Sequence, residues 1–339
     1  MSEQTDMAVP TQDMKPDAEI LLRVEGLKTY FFTRKAVLKA VDGVSFTVRK
    51  GETVGLVGES GCGKSMTCLS IMGLVPTPGA RIVEGEAWFE GADLIAMSKQ
   101  DLRGYRGRRM AMIMQDPQTS LNPVYTVGDQ VSEPIRLHLR ERGERVMAMV
   151  MDALRAVRIP QPEIRFIQYP HQFSGGMRQR VVAAMGLTTH PELLIADEPT
   201  TSLDVTIQAQ FVSLIKDLQR ESGTSVIWVT HDLGIVAQCC DRVNVMYAGR
   251  IVESAEVRKI FKAPQHPYTK ALLDSVPITG VKKERLYQID GQPPALDSQP
   301  SGCPFWPRCP HAMDICKEKY PPKTSTGGDG FVHCWLAEK

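Results

Sequence analysis

The chain has 339 residues, 42% hydrophobic and 23% charged, with 40 basic against 39 acidic side chains and a net charge of +1. That near-neutral balance argues against an electrostatic nucleic-acid binder, and no apolar run approaches the roughly 20 residues of a spanning helix. Eight cysteines are too sparse for a disulfide scaffold.

Residues 1–18, rich in Thr, Gln, Asp and Pro, are expected to form a mobile tail without the apolar region of a secretory leader. Short apolar runs at 20–24, 44–48, 53–57 and 87–89 predict strands, with Gly51 and Gly85 as breaks. Residues 116–169 interleave Arg and Glu with Val, Met and Leu and are expected to be a helical insertion. A second β/α series follows. It comprises a run at 193–196, apolar residues at helical spacing from Ile207 to Leu218, and runs at 225–229 and 243–247. Strands alternating with helices predict an α/β fold with a mainly parallel sheet. From residue 256 onward the chain turns rich in Pro, Lys and Cys and reads as an extension.

Gly58-Glu59-Ser60-Gly61-Cys62-Gly63-Lys64-Ser65 satisfies G-x-x-x-x-G-K-[ST] at each fixed position, after an apolar run and before a helix-compatible segment opening at Met66. Glycines there let backbone N–H groups turn inward on an anion, and a helix N-terminus adds partial positive charge. Lys64 is placed to reach the β- and γ-phosphates and Ser65 to ligate Mg²⁺. A glycine-rich turn with a solvated lysine is the bland alternative. Leu193-Leu194-Ile195-Ala196-Asp197-Glu198-Pro199 reads as a buried strand ending in two carboxylates, where open α/β sheets bind ligands. Asp197 is the expected Mg²⁺ partner, Glu198 the group that orients or deprotonates water, and His231 a γ-phosphate contact.

Together these segments resemble the ATP-binding subunit of an ABC transporter. Phe173-Ser174-Gly175-Gly176-Met177-Arg178-Gln179-Arg180 resembles the ABC signature, with Met177 where many members carry Gln. The resemblance implies that Ser174, Gly175, Gly176 and Met177 face ATP held by an opposing subunit. Gln115 resembles the Q-loop glutamine, a Mg²⁺ sensor and permease contact, and Ser202-Leu203-Asp204 the D-loop that crosses the dimer interface. Tyr30 or Phe31 is the expected adenine platform. The implied fold is a P-loop ABC core (residues 19–255) with a helical subdomain (about 116–175) and antiparallel β elements.

Residues 115–123, 204–210 and 266–273 carry a closer resemblance, to the dipeptide, oligopeptide and nickel importer branch. It implies a heterodimer with a sister ATPase on two permeases at the cytoplasmic membrane face, fed by an external binding protein. Peptides are the expected cargo, with nickel or another small solute as the alternative. A non-transport ABC ATPase is less favoured, because the chain has neither a second phosphate loop nor a long coiled coil. The arginines at 103, 106, 108 and 109, and at 136, 140, 142 and 145, read as solvated faces or permease-docking groups.

Cys303, Cys309, Cys316 and Cys334 are separated by five, six and seventeen residues. Four thiols in one short region suit a sulfur-ligated metal, although no closely paired C-x₂₋₄-C favours zinc. Resemblance to the peptide-importer C-terminal region implies a [4Fe–4S] cluster, with Zn²⁺ as the alternative and a structural staple as its simplest role.

Overall fold

The computed structural model describes residues 19–276 and 288–338. The expected tail at 1–18 lies outside the described residues.

Among the described residues, twelve strands form two sheets. β1 (Ile20–Phe32), β2 (Val37–Arg49), β4 (Ala80–Phe89) and β5 (Ala92–Asp93) make an antiparallel sheet in the order β2-β1-β4-β5. The second contains β3 (Thr53–Val57), β6 (Met110–Ile113), β7 (Leu193–Asp197), β8 (Ser225–Thr230) and β9 (Arg242–Tyr247). To these it adds β10 (Arg250–Glu256), β11 (Thr324–Gly327) and β12 (Gly330–Val332), in the order β11-β12-β10-β9-β3-β8-β7-β6. The five strands from β9 to β6 run parallel. β3, β7, β8 and β9 are buried at every residue, as near-continuous apolar runs covered on both faces should be. The α/β expectation therefore holds.

Two expectations are corrected. β1, β2 and β4 are each much longer than the apolar runs that announced them. Gly85 does not break β4: it sits inside the strand at φ +102°, where a Cβ would stand 2.5 Å from the Leu27 Cα of β1. The extension packs onto the core. β12 pairs antiparallel with β10 through Glu253↔Val332 and Ser254↔Phe331, so the C-terminal hairpin continues the central sheet. Cys303, Phe305 and Cys316 join the same buried cluster as Trp228 and Tyr247, which is how a segment with little core of its own becomes ordered.

Between β6 and β7 lie helices Pro117–Ser120, Val127–Pro134, Glu144–Ala156, Pro162–Arg165 and Gly175–Leu187. A π-helical turn, Ile135–Leu139, continues the second of these. Val146, Val150 and Leu154 recur at helical spacing on the buried face of Glu144–Ala156. Part of the arginine cluster before Gln115 is structural. Arg106 donates to the Met72 and Gly73 carbonyls, while Arg109 pairs with Glu192 (2.6 Å) and with Glu90.

Candidate nucleotide site

The phosphate loop leaves the carboxyl end of β3 and enters helix Lys64–Ile71, capped by Gly63 in a left-handed conformation. Gly63 has φ +106°, and a Cβ there would lie 2.2 Å from the Ala40 carbonyl, so both conformation and space require glycine. Cys62 is a small buried packing group, and burial pushes its thiol up. Lys64 is 4% exposed; its ammonium donates to the Gly58 carbonyl at 2.8 Å and the Glu59 carbonyl at 3.1 Å.

The expected catalytic groups converge beside this loop. Ser65 Oγ donates to Asp197 Oδ1 at 2.8 Å, fixing the two intended Mg²⁺ partners together. Burial pushes the Asp197 carboxyl upward, against the opposing pull of the Ser65 hydrogen bond. Lys64 Nζ stands 3.8 Å from Glu198 Oε1. Glu198 Oε2 receives the Gln115 amide at 3.2 Å and lies 3.4 Å from His231 Nδ1. Glu198 has φ +44°, a left-handed backbone that a non-glycine residue adopts at a cost of about 1–3 kcal/mol and that recurs at functional sites. Parallel order explains the convergence: β3, β8 and β7 lie side by side in that order, and their carboxyl ends deliver the loop, His231 and the carboxylates to one edge.

The signature residues make a second group. Ser174 caps helix Gly175–Leu187, its hydroxyl accepting from the Met177 N–H at 3.4 Å. The two glycines differ. A Cβ on Gly176 would meet Ile207 Cγ2 at 2.5 Å, whereas one on Gly175 has nothing within 4 Å. Gly176 therefore serves helix packing, and Gly175 leaves an open approach to the helix N-terminus. The Met177 side chain packs against the core. Leu203 does likewise, and Asp204 caps helix Val205–Ser222 by accepting from the Ile207 N–H at 3.0 Å. Ser202 stands in the turn just before them. At the end of β1, Tyr30 donates its hydroxyl to Asp42 at 2.6 Å, while Phe31 keeps a half-buried ring.

Three participants escaped the sequence. Thr201 donates to Glu198 Oε2 at 3.1 Å; its place directly after Asp197-Glu198-Pro199-Thr200 was the available signal. Tyr268 receives the Glu59 N–H at 2.9 Å, from within a segment already marked as characteristic. Arg308 clasps Glu59, and no local pattern announces it.

In the extension, Cys303, Cys309, Cys316 and Cys334 line one small cavity of about 20 Å³ with His266, His311 and aromatic rings. Burial, reinforced by the neighbouring cysteines, pushes the Cys303 thiol up to about 12. Among the described residues, no three His, Cys, Asp or Glu side chains are grouped so as to hold a metal ion. The donors fit sulfur-ligated metal chemistry, but their present arrangement does not form a ligand shell.

A glycine-rich loop leading from a parallel strand into a helix, facing paired carboxylates at the end of the next strand but one, defines a P-loop nucleoside-triphosphatase fold. The model of the ABC transporter family matches residues 41–201, and that of the oligopeptide/dipeptide transporter C-terminal region matches 252–316. The chain is 50% identical over 321 residues to the dipeptide transport ATP-binding protein DppD of Bacillus subtilis, covering 95% of this chain and 96% of that one. It is 47% identical over 311 residues to the oligopeptide transport ATP-binding protein OppD of Salmonella typhimurium, covering 92% of each. Among solved structures it resembles the ATP-binding cassette MJ0796, a dimer in a post-hydrolysis state bound to ADP and Pi. The TM-score is 0.63 at 25% identity, over 70% of this chain and 99% of that one. The chain belongs to the ABC transporter ATP-binding family and is an ATPase coupled to membrane transport.

Proposed function

We propose that this chain is the ATP-hydrolysing subunit of a peptide importer. The convergence of Lys64, Ser65, Asp197, Glu198, Gln115 and His231 at one sheet edge carries the proposal. The names of DppD and OppD, with the matched C-terminal region, supply the peptide assignment. The nucleotide core spans 19–255, with its helical subdomain at about 116–175 and the extension at 256–339.

ATP lies along residues 58–65 with Met66 opening the helix behind them and Phe31 beside the adenine. Ser65, Asp197 and Gln115 hold Mg²⁺, which supplies charge neutralisation when bound. Lys64 stabilises charge on the β- and γ-phosphates, Glu198 orients and accepts a proton from the attacking water, and His231 holds the γ-phosphate. Ser174, Gly175, Gly176 and Met177 cover the triphosphate of a sister ATPase, with Ser202, Leu203 and Asp204 between the two subunits. The open approach at Gly175 supports this assignment, because an approaching phosphate meets no side chain there.

The pair works on two permeases at the cytoplasmic membrane face, supplied by an extracytoplasmic binding protein. Among the described residues no helix is long and apolar enough to cross a membrane, in keeping with peripheral attachment. The four cysteines are assigned to a [4Fe–4S] cluster, with Zn²⁺ as the alternative; iron, sulfide and zinc analysis of aerobically and anaerobically purified protein decides it. For the function, the chain is reconstituted in vesicles with its sister ATPase, permeases and binding protein. Peptide uptake that requires ATP and is abolished by Lys64→Met is expected. ATP hydrolysis without any peptide transport refutes the assignment.

A further inference from the structure

Glu59 places a carboxylate within a loop whose glycines, lysine and helix terminus all favour anions. A carboxylate there opposes the phosphates of ATP unless something offsets its charge. The offset comes from the far end of the chain. Arg308 Nη1 donates to Glu59 Oε2 at 2.9 Å and Nη2 to Oε1 at 3.0 Å, a two-point fork with the guanidinium only 5% exposed. The arginine is itself anchored, donating to the Tyr247 hydroxyl at 3.1 Å and the Asp290 carbonyl at 2.9 Å. Tyr268 takes the Glu59 backbone N–H, and Phe305, three residues before Arg308, packs 5.3 Å from both tyrosine rings.

A second contact lies on the other side of the loop. The Leu296 carbonyl accepts the Lys39 N–H at 3.0 Å, and Gln299 donates to the Lys39 and Ala248 carbonyls at 3.2 and 3.0 Å. Lys39 adjoins Ala40, whose carbonyl lies closely over Gly63. The extension thus grips Glu59 of the phosphate loop directly and braces Lys39 and Ala248, next to the residues that crowd Gly63.

We propose that Arg308 is a positioning residue for ATP: by neutralising and fixing Glu59 it keeps the phosphate loop an anion site, so that the extension is a working part of nucleotide binding. The inference rests on residues 58–65 holding the triphosphate.

The test is equilibrium binding of ATP and ADP to the full chain in wild type, Arg308→Met, Arg308→Lys, Arg308→Met with Glu59→Gln, and Lys64→Met. Arg308→Met is expected to weaken ATP about tenfold and ADP less, since exposing the carboxylate penalises the more highly charged nucleotide more. Arg308→Lys, which keeps the charge but loses the fork, should fall between, and adding Glu59→Gln to Arg308→Met should recover most of the loss. If Arg308→Met does not fold, Arg308→Lys with and without Glu59→Gln carries the same comparison. Unchanged ATP affinity, or an equal loss for ATP and ADP without recovery in the double variant, overturns the inference. If Lys64→Met binds ATP as tightly as wild type, the site assignment itself has failed; if only Lys64→Met loses binding, Arg308 alone is wrongly assigned.

Discussion

Glu198→Gln separates chemistry from binding with opposite signs. The substitution is isosteric and keeps an acceptor oxygen, so Thr201, at 3.1 Å, retains a partner. Like glutamate, glutamine tolerates φ +44° no better and no worse, so folding stability should change by less than about 1 kcal/mol. What disappears is the negative charge 3.8 Å from Lys64. At that separation the Coulomb attraction is about 1 kcal/mol in water and about 4 kcal/mol at an effective dielectric of about 20. With Glu198 13% exposed, the effect falls between these limits. Removing it frees Lys64 for phosphate and lifts repulsion of the γ-phosphate, so ATP should bind equally well or up to about tenfold tighter. Losing the base should slow hydrolysis about 10²- to 10⁴-fold. Single-turnover ATP cleavage and equilibrium ATP titration on the same preparation measure the two effects. A variant that hydrolyses within threefold of wild type (roughly 0.6 kcal/mol), or that loses affinity and rate together, refutes the assignment.

Arg242→Met should cost about 3–5 kcal/mol in urea unfolding, because it strands the buried Glu52 that Arg242 meets at 2.9 and 3.1 Å. Adding Glu52→Gln should return part of that loss, and a single-variant cost under about 1 kcal/mol would contradict the buried-pair account. Asp42 supplies a pH test. Burial alone would raise its carboxyl, but hydrogen bonds from Tyr30 and Arg250 outweigh that and lower it. A depressed carboxylate contributes stability that is complete above the ordinary value near 4 and is lost as pH falls through the lower folded value. Wild-type urea midpoints should therefore drop more steeply below about pH 4 than those of Asp42→Asn; parallel curves would sink this.

The legible parts of the chain were those whose physics is local. A phosphate loop needs its glycines, lysine and serine in one short stretch, and a doubly covered strand such as β7 needs an apolar run. Both are visible without the fold. β1 is different: past Gly26 its pairing with β2 and β4 shifts register repeatedly, so neither strict alternation nor an unbroken apolar run marks residues 25–32. β11, Thr324–Gly327, has no apolar pattern and becomes a strand because β12 offers it a partner. Four cysteines announce a cluster by composition but not by coordination, and their side chains gather around a cavity without forming a ligand shell. Arg308 was invisible for a related reason. Its partner is 249 residues away, and only the folded extension brings the two together.

The hairpin that prolongs the main sheet limits how this protein can be dissected. A fragment cut after residue 255 would retain the motifs that name the family, yet β10 would lose its outer neighbour at Glu253 and Ser254. Bare backbone donors and acceptors along such a margin recruit other chains. Preparations trimmed to the minimal cassette should self-associate, and kinetics measured on them would describe an aggregate with an ungripped phosphate loop.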